Sequence, residues 1–136
     1  MNSYLRGKEA QISEQKAAMI PKIDASMQPL PTAQRVFRGV DKNVFQGEDP
    51  KTLVGTVFKD NGYMSATNDP HGGFTTKQIY LIMDLPAGTP SRWLMPYSGF
   101  ASEKEILIGR GSNFIVKSVE DKPGGGLIVH LEAILT

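Results

Sequence analysis

The spacing of apolar residues changes once along the chain. Between Ser13 and Met27, Ala17, Ile20, Ile23, Ala25 and Met27 alternate with Glu, Gln and Lys residues at helical spacing. Pro21 falls inside that run, so two helical pieces or a kink are expected there. Pro29-Leu30-Pro31 ends it. Beyond this point the apolar segments are short, β-branched or aromatic, and bounded by turn residues. That pattern predicts strands at 35–40, 52–58, 62–66, 77–85, 91–94, 105–108, 113–119 and 127–135. Asp60-Asn61-Gly62, Asp69-Pro70-His71-Gly72-Gly73, Pro86-Ala87-Gly88, Gly109-Arg110-Gly111 and Pro123-Gly124-Gly125-Gly126 supply the turns. Helices first and strands afterwards predict an α+β fold with mainly antiparallel sheets, not an alternating parallel one.

Composition narrows the chemistry more than the fold. A chain of 136 residues fits one domain. Lys and Arg total 15 against 14 Asp and Glu, so no global field favours nucleic acid as a partner. No cysteine is present, which excludes a disulfide scaffold, a thiolate zinc site and a thiol nucleophile. His71 and His130 stand alone and far apart, so no metal is expected. The longest apolar runs, such as Ile79 to Met83, are far short of the roughly 20 residues a bilayer helix needs. Met1 to Glu14 lacks the apolar core of a signal peptide, so no membrane partner and no signal peptide are expected.

Three short segments carry candidate chemistry. In Phe37-Arg38-Gly39 an arginine lies inside an apolar strand, where its guanidinium must find an anion or solvent. Its planar fork suits a diphosphate, and Gly39 admits a ligand close to the backbone. An arginine paired with a surface carboxylate would look the same. In Gly62-Tyr63-Met64-Ser65-Ala66-Thr67, period two places the Ser65 and Thr67 hydroxyls on one face. They could fix a neighbouring carboxylate by hydrogen bonding, or simply face solvent. In Ser102-Glu103-Lys104-Glu105-Ile106-Leu107-Ile108, two carboxylates sit two apart at the mouth of an apolar strand. Paired carboxylates serve reactions through oxocarbenium-like transition states, and they also occur as solvated clusters with a local counter-ion such as Lys104. Gly109-Arg110-Gly111 lies between two strands and opens no helix, so it is not read as a phosphate cradle.

Taken in order, an arginine strand, a Ser65-Ala66-Thr67 strand and Glu103-Lys104-Glu105 leading into a strand resemble mono-ADP-ribosyltransferases of the cholera-toxin-like and iota-toxin-like kind. Asn2-Ser3-Tyr4-Leu5-Arg6, Pro29-Leu30-Pro31, Leu85-Pro86-Ala87-Gly88-Thr89 and Gly109-Arg110-Gly111-Ser112-Asn113-Phe114 are similar to that family's other segments, in the same order. The resemblance covers nearly the whole chain. It implies one catalytic domain over 1–136, either cut from a larger toxin, effector or phage protein or a compact family member. It further implies N-terminal helices packed on two mainly antiparallel β-sheets that form an NAD cleft.

The resemblance also implies roles. Arg38 would bind the phosphates of NAD, with the Gly39 backbone near the nicotinamide end. Ser65 would hold Glu105, with Thr67 supporting the same strand. Glu105 would contact the nicotinamide ribose and stabilise the developing cation. Glu103 would orient and deprotonate an incoming guanidinium, since glutamate at this position points to an arginine acceptor in the family. Phe100 would recognise the target protein, and Phe74 would stack on nicotinamide. NAD is then the substrate, and the partner is a target protein presenting an arginine, with an immunity or carrier protein as a further partner. The implied setting is the cytoplasm of a target cell, reached by secretion or injection. Three features depart from the family: Ala66 replaces a usual Thr, Lys77 stands where a second phosphate-binding arginine is common, and the helical portion is short. Two other readings stay open: an NAD glycohydrolase, and a non-catalytic module that has kept the fold.

Overall fold

The computed structural model describes residues 5, 13–40, 45, 49–68, 79–94, 105–123 and 125–135. Helix α1 spans Glu14–Ser26. The Ser13 side chain caps it by accepting from the Lys16 backbone N–H at 3.2 Å, and Glu14 adds an acidic first turn. Of the two pieces or kink expected at Pro21, the division does not occur, and the helix runs on through the proline as one element. A proline inside a helix removes one backbone hydrogen bond and costs about 3 kcal/mol. Contacts from outside the helix hold it on either side of the proline. Tyr63 Oη donates to Asp24 Oδ1 at 2.7 Å and lies 3.2 Å from the Ile20 carbonyl, and Arg110 forms an ion pair with Asp24 at 2.8 Å. The helix buries no residue fully, its Ala17, Ile20 and Ile23 are half-buried, and the polar tethers add to that contact.

Nine strands follow: β1 (Gln28–Pro29), β2 (Gln34–Val40), β3 (Val57–Asp60), β4 (Met64–Thr67), β5 (Ile79–Leu85), β6 (Pro90–Leu94), β7 (Glu105–Ile108), β8 (Ser112–Asp121) and β9 (Leu127–Ile134). Helix before strands and a largely antiparallel sheet are the α+β architecture expected. The segment expected as a strand from 52 begins differently. Asp49 caps a 3₁₀ turn over Pro50–Leu53, accepting from the Lys51 N–H at 3.0 Å, and only Val57–Asp60 is extended. Proline at the first helical position, behind an aspartate cap, favours that turn.

Strand order is β1-β6-β7-β4-β2-β5-β9-β8-β3. All pairings are antiparallel except β5 with β9, which the chain reaches only after laying down β6, β7 and β8. One junction is unlike the others. β2 pairs with β5 along its whole length, yet it meets β4 only where Phe37 faces Thr67. The nine strands therefore form two halves, β1-β6-β7-β4 and β2-β5-β9-β8-β3, joined at a single residue pair. Hydrogen bonding links all nine strands into one sheet, and the two sheets expected are compatible with its two halves.

Both halves contribute to one core. Met64, Ile106 and Ile108 from the first half cluster with Val36, Leu81, Met83, Phe114, Val116, Val129 and Leu131 from the second. Each is at most 1% exposed, and burying such a side chain contributes about 1.5–3 kcal/mol. The chain turns from β7 to β8 at Gly111, whose φ of 74° suits glycine. Nearby Gly109 lies so close to β6 that a Cβ there would stand 3.3 Å from the Pro90 Cβ.

Candidate active site

The three chemical segments meet where the two halves join. Period two and burial fix their directions. On β4, Met64 and Ala66 enter the core, which turns Ser65 and Thr67 to the opposite face. On β7, Ile106 and Ile108 are buried, which turns Glu105 and Leu107 to that same opposite face. Register then places Thr67 directly across from Glu105, and Ser65 across from Leu107. Because Phe37 faces Thr67, one row runs Phe37–Thr67–Glu105 across the junction. Phe37 is itself braced by Tyr80 of β5, their rings nearly parallel with centroids 5.8 Å apart.

Arg38 crosses the gap beside that row. It stands two residues from each of buried Val36 and Val40 on β2, so it shares their side of the strand and alternates with Phe37, and its Nη1 donates to the Ser65 carbonyl at 2.7 Å. A charged donor at a carbonyl of the neighbouring half ties the halves where backbone pairing has stopped. Gly39 follows, opposite Tyr80 on β5. The arrangement of an arginine paired with a surface carboxylate occurs three residues earlier, where Arg35 holds Asp84 bidentately at 2.8 and 3.1 Å.

The structure thus brings Arg38, Gly39, Ser65, Thr67 and Glu105 to one junction. Thr67 is buried, whereas Ser65 and Glu105 are exposed. Ser65 is the diagonal neighbour of Glu105 and makes no hydrogen bond to it among the described residues. Cβ atoms so placed are about 7–8 Å apart, a gap a glutamate can close by rotating. Glu103, Phe74, Phe100 and Lys77 lie outside the described residues. Among the described residues no group of three His, Asp or Glu side chains could hold a metal ion, and no helix is long and apolar enough to cross a membrane.

A second polar group, not anticipated from the sequence, stands behind the site. Asp24 on α1 receives the Arg110 Nε–H at 2.8 Å and the Tyr63 hydroxyl at 2.7 Å. Arg110 follows β7 in the turn to β8, and Tyr63 immediately precedes β4. The trio therefore pins α1 to the ends of both strands that carry site residues. Donation from Arg110 holds the Asp24 carboxyl below the usual carboxylate range. Burial first, and hydrogen bonding to Asp24 second, push the Tyr63 hydroxyl up to about 12. Hydrogen bonding to Asp24 also keeps the Arg110 guanidinium charged more firmly than usual. Nothing local signals this trio, because Asp24 and Arg110 are 86 residues apart.

The family described as ADP-ribosyltransferase exoenzyme matches residues 1–133. The chain belongs to that family. A search of curated proteins gives no match. Solved structures agree with the family on the fold. The ADP-ribosyltransferase toxin Plx2a from Paenibacillus larvae shares 20% identity over 98% of this chain and 78% of its own, with a TM-score of 0.84. C3stau2 from S. aureus, solved with NAD, shares 17% identity over 100% of this chain and 80% of its own, with a TM-score of 0.78. C2-I, the enzymatic component of the C2-toxin from Clostridium botulinum, shares 20% identity over 98% of this chain but 39% of its own, with a TM-score of 0.77. The enzyme class is therefore ADP-ribosyltransferase, and the Arg38, Ser65–Thr67 and Glu105 strands are to be read within that toxin fold.

Proposed function

We propose that this ADP-ribosyltransferase moves the ADP-ribosyl group of NAD to an arginine side chain of a target protein, acting as a toxin or effector inside another cell. The observation that carries the reading is the junction itself. An arginine, two hydroxyls and a glutamate come from three strands to one junction of the sheet, and Glu103 precedes that glutamate by two residues.

In this reading Arg38 holds the diphosphate, so that binding remote from the reacting carbon orients the glycosidic bond. The C1′–N bond of the nicotinamide riboside breaks, and nicotinamide leaves as a neutral base with the bonding electrons. Glu105, opening β7, stabilises the positive charge that grows on the ribose. Ser65 and Thr67 limit the rotamers open to Glu105. A guanidinium nitrogen of the acceptor attacks C1′ and gives up one proton to Glu103, leaving an N-ribosylated guanidinium. Phe74 stacking on nicotinamide and Phe100 meeting the target belong to the same proposal. The exposure of Glu105 also favours a second reading, in which water takes the place of the acceptor and NAD is hydrolysed.

The experiment offers labelled NAD to the protein with poly-arginine, with an arginine-free polypeptide, and with neither. Label on poly-arginine alone is the expected outcome. Released nicotinamide in all three, with no labelled polymer, would support hydrolysis instead. Equal label on the arginine-free polypeptide would refute the acceptor assignment.

A further inference from the structure

Arg92 is the centre of β6, and register places it opposite Leu107, two residues from the Leu94–Glu105 pair. Since Leu107 also faces Ser65, one row runs Arg92–Leu107–Ser65 beside the row that holds Glu105. Glu105 is therefore flanked diagonally on one side by Ser65 and on the other by Arg92. Both are on its own face, and a diagonal distance of about 7–8 Å is within reach of long side chains. Arg92 is exposed and takes part in no hydrogen bond or ion pair among the described residues. Two charged pairs on the other half of the molecule contrast with it: Arg35 has Asp84, and Lys117 has Glu132.

We propose that Arg92 is a second cationic contact for the diphosphate of NAD, working from the side of Glu105 opposite Arg38. This rests on the reading of the site as an NAD site. Three considerations support it. Ser65 is two strands from Arg92, or about 10 Å at ordinary strand spacing, and its carbonyl already engages Arg38 at 2.7 Å. By strand order β6 and β2 thus stand on either side of the glutamate on β7, and a diphosphate carries two charges for their arginines to meet. Second, a guanidinium left unmatched beside Glu105 would oppose the cation forming on the ribose, whereas one held by phosphate would not. Third, an arginine acceptor is itself positive, so Arg92 would repel it. The anion within reach belongs to NAD.

The test is calorimetric titration of the full chain, as wild type, Arg92→Ala and Arg92→Lys, with NAD, ADP-ribose and nicotinamide riboside, which lacks a phosphate. Arg92→Ala should weaken NAD and ADP-ribose binding about tenfold or more, as expected for loss of a charged hydrogen bond. Nicotinamide riboside should bind as before, and Arg92→Lys should recover part of the affinity. Thermal melts of both variants check that the fold is kept, and Arg92→Lys carries the comparison if Arg92→Ala does not fold. Unchanged NAD affinity in Arg92→Ala overturns the proposal. Unchanged NAD affinity with reduced labelling of a protein acceptor overturns it in favour of acceptor recognition. If the wild type does not bind NAD, the reading beneath the proposal fails first, and the two failures are told apart by that control.

Discussion

The two halves of the sheet use the same building material to different ends. The β2-β5-β9-β8-β3 half has the longer strands, including Ser112–Asp121, and it supplies most of the fully buried side chains. Some of its exposed charges face partners, Arg35 with Asp84 and Lys117 with Glu132, while Lys59 makes no ion pair among the described residues. In the other half, β4 and β7 have four residues each and β6 has five. Glu105 and Arg92 there share a face, and neither makes an ion pair among the described residues. Exposed pairs add little to stability, about 0–1 kcal/mol each, but they leave a surface electrostatically quiet. Charges left unmatched on one face are available to a ligand. The broad half serves as a platform, and the narrow half presents the chemistry.

The comparison is broken most forcefully through the shared core. Phe114→Ala in the broad half should cost about 3–5 kcal/mol and Ile108→Ala in the narrow half about 2–5 kcal/mol. Both should give one cooperative transition in urea, since the two side chains belong to one cluster. Two separate transitions would mean the halves fold independently. Arg38→Ala acts at the junction. Loss of a charged hydrogen bond worth about 1.5–3 kcal/mol should lower NAD affinity at least tenfold, with a smaller drop in melting temperature. Glu103→Gln should reduce transfer to arginine while leaving NAD hydrolysis largely intact. Equal loss of both activities would remove the division of labour between Glu103 and Glu105.

The smallest effect concerns the tether behind the narrow half. Asp24 has a depressed pKa, so its contribution is present above the ordinary carboxylate range and is lost as pH falls through the lowered value. Tyr63 has a raised pKa, so its contribution is present below about 10 and is lost as pH rises toward about 12. Arg110→Ala should flatten the acid limb of the melting profile, because Arg110 is the chief cause of the Asp24 shift. At neutral pH it should change stability by about 1 kcal/mol or less, since the pair is largely exposed. An unchanged acid limb in the variant would detach Asp24 from the account.

What was legible in the sequence was local. The short apolar run after Glu105, closed by the Gly109-Arg110-Gly111 turn, matches the observed bounds of β7, and the bounded run at 35–40 matches β2 to within one residue. The order of helix and strands followed, and so did the ordering of Arg38, Ser65 and Glu105. Chain-distant facts were not legible. The parallel pairing of β5 with β9 depends on where three intervening strands go. The bond between Asp24 and Arg110 spans 86 residues and leaves no periodicity. Pro21 carries an intrinsic cost to a helix, yet the helix runs through it and is tethered from outside at Ile20 and Asp24. A lone arginine at position 92 in a short strand says nothing until register sets it beside Glu105.

The most direct test of the account is Glu105→Ala, assayed for NAD hydrolysis, for transfer to poly-arginine and for melting temperature. Because Glu105 is exposed at a strand end, its removal should leave the melting temperature unchanged. Both activities should nonetheless fall at least a hundredfold, as when a principal charge-stabilising group is lost. A folded variant that still hydrolyses NAD and labels arginine at the wild-type rate would contradict the account.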